Sequence, residues 1–230
     1  MGRHVLEGNP PIEVVLRRTA AARRLSLRIS RLDGRVTLTL PRRTPEREGI
    51  AFLREREAWL RGHLGDMPDE RVIRLGGTVP IEGVDVPLMA GKAARPKLEG
   101  GVLWLPDRPE VAAAKTMAFL KLLARDRLSQ ASDRYAATLG RPYKRLTLRD
   151  TRSRWGSCSA DGQLMYSWRL IMAPPQVLDY VAAHEIAHLA EMNHSPDFWA
   201  VVERLFPAHR SCRTWLRENG DRLHRVRFDG

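Results

Sequence analysis

The sequence predicts an α+β fold, with a strand-rich first half and a mainly helical second half that carries a small antiparallel sheet. Three observations support this. Residues 12–40 (IEVVLRR, LSLRIS, RVTLTL) alternate apolar and polar at period two, the pattern of half-buried strands. Between Glu110 and Leu139, apolar residues (Met117, Leu120, Leu123, Ala124, Leu128, Ala131, Tyr135) recur at three and four, which defines a long amphipathic helix. Asp179 to Ala190, DYVAAHEIAHLA, is an apolar helical stretch without Lys or Arg. The change of periodicity places a seam near residue 106. Two domains are expected, a basic strand-rich one over residues 1–106 and a second over residues 107–230.

Taken in order, the first three strands should form a β-meander, connected through Ala20-Ala21-Ala22 and through a tight turn at Leu32-Asp33-Gly34. Arg17, Arg18, Arg23 and Arg24 crowd the first connection, as a basic rim or as charged strand ends that discourage edge pairing. Pro45 to Leu64 should be one helix. Thr44 is placed to cap it, Pro45 suits its first position, and Glu46 and Glu48 favour its N-terminal dipole. His63 sits near the end of its apolar face. Residues 71–105 read as an irregular antiparallel sheet cornered at Gly76-Gly77 and Gly100-Gly101, with a loop around Lys92 to Pro96. Asp107-Arg108-Pro109 opens the long helix, and Gly140 and Pro142 close it. LTLRD (146–150) and QLMYSWRLIMA (163–173) read as a hairpin around the turn TRSRWGSCSADG, leading into a helix that begins at Pro174-Pro175. Gln163 to Trp168 is the candidate free edge to which an extended substrate could add as a strand. Two helices follow, PDFWAVVERLF with Ser195 as its N-cap and a basic SCRTWLREN, with His209 and His224 on the surface.

Composition narrows the partners. The net charge of +12 is carried mostly by Arg. It fits attraction to nucleic acid, nucleotide or acidic peptide, or a solvated surface in which Arg pairs with Glu; no basic tail or nucleic-acid motif accompanies it. No uncharged apolar run approaches a membrane span, and MGRHVLEGNPPIE has no signal-peptide core, so a cytoplasmic protein is expected. Two cysteines, Cys158 and Cys212, make no disulfide framework.

The chemistry concentrates in His184-Glu185-Ile186-Ala187-His188. Helical positions i and i+4 share a face, so His184 and His188 aim two imidazoles at one point. Glu185 can then reach a water on a shared cation without ligating it. Two His ligands, a Glu base and an open position describe a zinc hydrolase. The alternative is a pair of hydrogen-bonded core histidines beside a salt-bridged Glu. A third ligand is expected at His194, six residues on. The chain must leave the helix to bring it back, and Asn193 is the candidate left-handed stop. The spacing matches the long zincin motif, but Glu191 stands where that motif has its turn glycine. Glu203 and Asp197 are the rival third ligands. Arg152 and Arg154 are candidates for a substrate carboxylate or phosphate, and Tyr166 or Arg169 for an oxyanion donor. Trp155 reads as a core anchor, and Gly156 as a position of close backbone approach or positive φ. Cys158 lacks the second Cys of a thiolate site. Three imidazoles also accept nickel, cobalt or manganese.

Arg154-Trp155-Gly156-Ser157-Cys158, Trp168-Arg169-Leu170-Ile171 with Ala173-Pro174, His184-Glu185-x-x-His188 and Asn193-His194-Ser195-x-x-Phe198-Trp199 occur in one order and spacing. Over residues 145–217 the chain resembles the YgjP-like metallopeptidases, relatives of the SprT and WLM zincins. The resemblance implies a zincin-like C-terminal domain, zinc on His184, His188 and His194, Glu185 as general base, a bacterial cytoplasmic setting and a peptide or protein substrate. It also admits two alternatives: nucleoside-triphosphate pyrophosphohydrolysis on the same site, and, through SprT, nucleic-acid association by the basic first domain. Ser167 departs from the Asn expected before Trp-Arg-Leu-Ile.

Overall fold

The computed structural model describes residues 2–30, 33–67, 70–92 and 94–229. The chain divides into two compact units, Met1–Asp69 and Glu70–Gly230. Strands and helices are both abundant, with most strands early and the longer helices later, an α+β architecture.

The first unit contains β1 (Gly2–Leu6), β2 (Ile12–Thr19), β3 (Ser26–Ile29), β4 (Val36–Pro41), α1 (Glu46–Glu55) and α2 (Glu57–Gly65). Its sheet runs β1-β2-β4-β3, with β2 and β4 parallel, so it is not the expected meander. Burial explains the order. Val14, Leu16, Val36, Leu38 and Leu40 are all but inaccessible and take the two central strands. Ser26 and Arg28 are exposed, and the short strand that carries them lies at the edge. The β3–β4 turn closes through Ser30 N–H to Arg35 O at 2.9 Å, with Gly34 at φ +68°. Leu32 of that turn lies outside the described residues. The helix expected over 45–64 is two helices, because the chain tightens at Arg56, whose N–H reaches both Phe52 O and Leu53 O. Thr44 does not cap the first of them. His63 packs on Trp59 at a ring separation of 4.4 Å.

The second unit begins with β5 (Arg71–Val72), β6 (Thr78–Ile81), β7 (Val84–Gly91), β8 (Lys97–Glu99) and β9 (Val102–Pro106), followed by α3 (Pro109–Leu139). Its first sheet, β6-β7-β9-β8, is mixed rather than antiparallel, since β7 and β9 are parallel. Val79, Leu88, Leu103 and Leu105 from this sheet share one core with Leu120 and Leu128 of α3 and with Ile171, Val181 and Ile186 further on. That shared core is why the division falls at Asp69/Glu70 and not near residue 106. The β6–β7 turn, though partly exposed, is held by later parts of the unit. Glu82, at φ +50°, donates its N–H to Ile171 O at 2.7 Å and accepts from Arg127 Nε of α3 at 2.6 Å. A Cβ on the neighbouring Gly83 would meet Pro174 Cα at 3.0 Å. Helix α3 runs as expected and ends at Gly140 in the left-handed conformation.

Next come β10 (Arg145–Arg149), β11 (Gly156–Cys158), β12 (Gln163–Ser167), a 3₁₀ turn (Trp168–Met172) and α4 (Pro175–Ala187). The sheet order is β10-β12-β11. β10 and β12 are therefore not a hairpin but a parallel pair, and β11 pairs antiparallel on the far side of β12. Residues 163–168 cannot offer a free edge, because β12 is the central strand; the edge belongs to β11. The last elements are α5 (Pro196–Leu205), α6 (His209–His224) and β13 (Val226–Arg227), which pairs parallel with β5. Among the described residues no helix is long and apolar enough to cross a membrane.

Candidate metal centre

Helix α4 is packed against α3, α5 and α6, so its apolar residues are buried around almost its whole circumference, and Ala182, Ala183, Ile186 and Ala187 are inaccessible. Pro174 and Pro175 start it, Pro175 occupying a first-turn position where its missing N–H is not needed. Tyr180, His184 and His188 follow at four-residue intervals on one face. The helix ends at Ala187 with His188 as its C-cap, earlier than the sequence suggests. Asn193 is not the stop: among described non-glycine residues only Glu82 has positive φ. The chain instead turns through residues 189–194, and Ser195 caps α5 by accepting Phe198 N–H at 3.3 Å.

This path returns His194 to the helix. Each of His184, His188 and His194 offers one ring nitrogen to a cluster in which all three lie within 4.8 Å of one another. The Nε2 atoms of His184 and His194 are 3.1 Å apart. His188 places Nδ1 3.0 Å from Glu191 O. A backbone carbonyl only accepts, so Nδ1 carries the proton and Nε2 keeps its lone pair for the cluster. Phe198 stacks under His188 at 4.5 Å and contacts His184 and His194 edge-on, and Trp199 lies 6.0 Å from His194. These rings hold the imidazoles in place from below. Burial, and secondarily the neighbouring imidazoles, push His184 down to about 3. His188 is also lowered by burial. Rings so reluctant to take a proton present lone pairs at neutral pH, which is the donor set a borderline divalent cation binds.

Glu185 projects from the adjacent face of α4. It is buried, and burial raises its carboxyl to about 8, against partial relief from Arg154. It accepts no hydrogen bond from a described side chain and lines a cavity of about 570 Å³ together with the three histidines, Arg154, Trp155, Gly156 and Ser157. An acid tuned near neutrality beside convergent imidazoles is suited to proton transfer.

The remaining sequence-predicted residues separate clearly. Arg154 is exposed and lines the cavity, whereas Arg152 does not line it. Tyr166 is fully buried with its hydroxyl 3.1 Å from Ser132 Oγ, so it faces the core and not the cavity. Arg169 is consumed by structure: it makes two bonds to Asp150 and donates to Leu223 O and Val226 O, packed over Trp168 and Phe228. Neither can serve as the oxyanion donor. Glu203 pairs with His209 at 2.5 Å, and neither it nor Asp197 belongs to the histidine cluster. His209 is buried and His224 is half-buried against Trp155, contrary to the surface positions expected of them. Ser167 is buried away from the cavity, so the departure from Asn does not touch it. Cys158 lines the cavity, but burial first, and then Glu185 and Asp161, push its thiol up to about 11, which does not suit a thiolate ligand.

Tyr180 and Leu216 are among the lining residues that sequence reasoning missed. Tyr180 carried a usable signal, one helical turn before His184. Leu216 had none, since its approach depends on how α6 packs.

Strand β11 forms one wall. Ser167 N–H donates to Trp155 O at 2.8 Å and Ser159 N–H to Gln163 O at 3.1 Å. Hydrogen-bonded pairs alternate along an antiparallel ladder, so the N–H and C=O groups of Gly156 and Cys158 point away from β12, towards the free edge.

Among known proteins, the family model described as the YgjP-like metallopeptidase domain matches residues 23–219. No curated protein matches the sequence. One solved structure, the metallopeptidase zymogen of Pyrococcus abyssi abylysin, is 24% identical over 42% of this chain and 92% of its own, with a TM-score of 0.34.

Proposed function

The chain belongs to the YgjP-like metallopeptidase family, and we propose that it is a zinc-dependent peptidase whose general base is Glu185. Membership makes it a metal-dependent hydrolase acting on peptide or protein. The observation that carries the finer reading is the convergence of three imidazole nitrogens beside a buried carboxyl in one cavity.

His184, His188 and His194 would hold the ion, which supplies Lewis acidity and an acidified water when bound. The carbonyl of Glu191 keeps the His188 Nε2 lone pair available. Glu185 takes the proton of the attacking water and returns it to the departing amine. Burial raises its affinity for that proton. An extended peptide is suited to the free edge of β11, where the Gly156 and Cys158 backbone groups can pair with its main chain. Arg154 at the rim can meet a substrate carboxylate.

The test is metal analysis of purified protein together with turnover of unfolded protein and of nucleoside triphosphates by wild type and Glu185→Gln. Glu185→Gln is expected to retain one zinc per chain and lose about 10²- to 10⁴-fold in kcat on peptide. Pyrophosphate as the sole product, abolished by the same substitution, would overturn the peptidase reading in favour of the nucleotide one.

A further inference from the structure

The Arg-Trp-Gly-Ser-Cys stretch does more than line the cavity. A Cβ built on Gly156 would stand 2.6 Å from Glu185 Oε1, 2.7 Å from Cγ and 2.8 Å from Cδ. Three side-chain atoms of one residue therefore occupy the space a methyl group would need. Glu185 is only 5% exposed, and its Cγ lies one torsion beyond a Cβ fixed by a helix buried on most sides, so it clears the added group only by changing its χ1 rotamer. The strand itself is held at this distance from behind. Gly220 and His224 lie four apart on α6, and together they form a notch for the ring of Trp155. A Cβ on Gly220 would meet Trp155 Cζ2 at 2.9 Å, and the His224 ring stacks on Trp155 at 4.9 Å with a 30° interplanar angle. On its other side, the Trp155 carbonyl is tied to Ser167 of β12.

We propose that Gly156 is a positioning residue for Glu185: its absent side chain is the slot in which the carboxylate stem lies, and Trp155, seated in the Gly220/His224 notch of α6, sets the depth of that slot. The proposal deepens the peptidase reading and rests on it for its kinetic consequence, although the contact itself does not. The strand that offers its backbone edge to substrate is thereby also the strand that aims the base. Any side chain at 156 would move the carboxylate, and displacements of about 1 Å at a reacting group cost on the order of a hundredfold in rate.

The experiment is a double-mutant cycle on the full chain, with zinc content, denaturation midpoint and steady-state kinetics measured for wild type, Gly156→Ala, Glu185→Ala and the double variant. Gly156→Ala is expected to keep its zinc, to lower kcat by about a hundredfold with KM changed by less than about twofold, and to lower the denaturation midpoint. In the Glu185→Ala background the same substitution should leave the midpoint unchanged, because the atoms it meets are gone. Gly220→Ala should give a smaller fall in kcat, again with zinc retained. An equal loss of midpoint in both backgrounds, loss of zinc, or wild-type kcat in Gly156→Ala would each overturn the proposal. If the stability coupling appears and no variant, wild type included, cleaves peptide, the contact stands while the peptidase reading falls.

Discussion

Helix α5 separates two groups of histidines held on different terms. On one side, Phe198 supports His184, His188 and His194, and among the described residues no carboxylate pairs with any of these three rings. On the other, His209 stacks on Trp199 at 5.6 Å and pairs through Nε2 with Glu203. Both groups contain a buried imidazole. In the second, a carboxylate takes Nε2, while the buried Nδ1 has no partner among the described residues and faces no other imidazole. In the first, the rings face each other, and burial lowers the basicity of His184 and His188. Burial of a polar group without a partner is expensive, so the first arrangement makes physical sense as a ligand set and the second as a structural joint.

Substitutions that treat the two groups alike should give unlike results. The largest contrast is in metal content. His188→Ala is expected to reduce bound zinc from one per chain to near zero and abolish peptidase activity, whereas His209→Ala should keep both the zinc and the activity; plasma emission analysis of dialysed protein decides this. For His209→Ala the expected cost is about 1 to 2 kcal/mol of stability, because Glu203 is solvated enough to lose its partner without severe penalty.

Next is the contrast between two arginines for which the sequence suggests different roles at the site, Arg169 as an oxyanion donor and Arg154 as a contact for a substrate carboxylate or phosphate. Arg169→Met should destabilise by about 2 to 3 kcal/mol, since it strands Asp150 and two backbone carbonyls. Arg154→Met should change stability little and raise KM for acidic peptides. Chemical denaturation and kinetics on paired acidic and neutral peptides separate the two.

The smallest effect is in the pH dependence of the chelated protein. Glu185, pushed up to about 8 from 4.5, holds a proton in the folded state that the unfolded chain has released. The folded state binds more protons over that interval, so stability falls as pH rises from about 4.5 through 8. His184, lowered to about 3 from 6.5, has the opposite effect. Its folded form binds fewer protons, so its contribution is present above 6.5 and is lost as pH falls towards 3. Glu185→Gln should flatten the alkaline slope of the denaturation midpoint and leave the acid slope intact.

Local spacing made part of this molecule readable. His184, Glu185 and His188 follow from the helical repeat, and His194 followed from a known six-residue interval. The close approach at Gly156 was also legible, though not what approached it. Pairing partners were less accessible. Alternation identifies a strand but not its neighbour: it suggests β3 beside β2, where β4 lies, and an open edge at β12, where β11 lies outside it. Tyr166 and Arg169 failed as site residues for a related reason. A residue's distance along the chain from a motif does not say where its side chain turns: Tyr166 of β12 enters the core, and Arg169 of the 3₁₀ turn is spent on Asp150 and two backbone carbonyls.

The β6–β7 tip bears on how this protein can be trimmed. Its Glu82 and Gly83 rest on Ile171 and Pro174, at the root of the helix that carries the histidines. A fragment begun at residue 107 would lose that support and bare the apolar face of α3, while one begun at Glu70 would keep both. The sheet of residues 78–106 is therefore not a detachable accessory but part of the foundation of the unit that carries the histidine cluster.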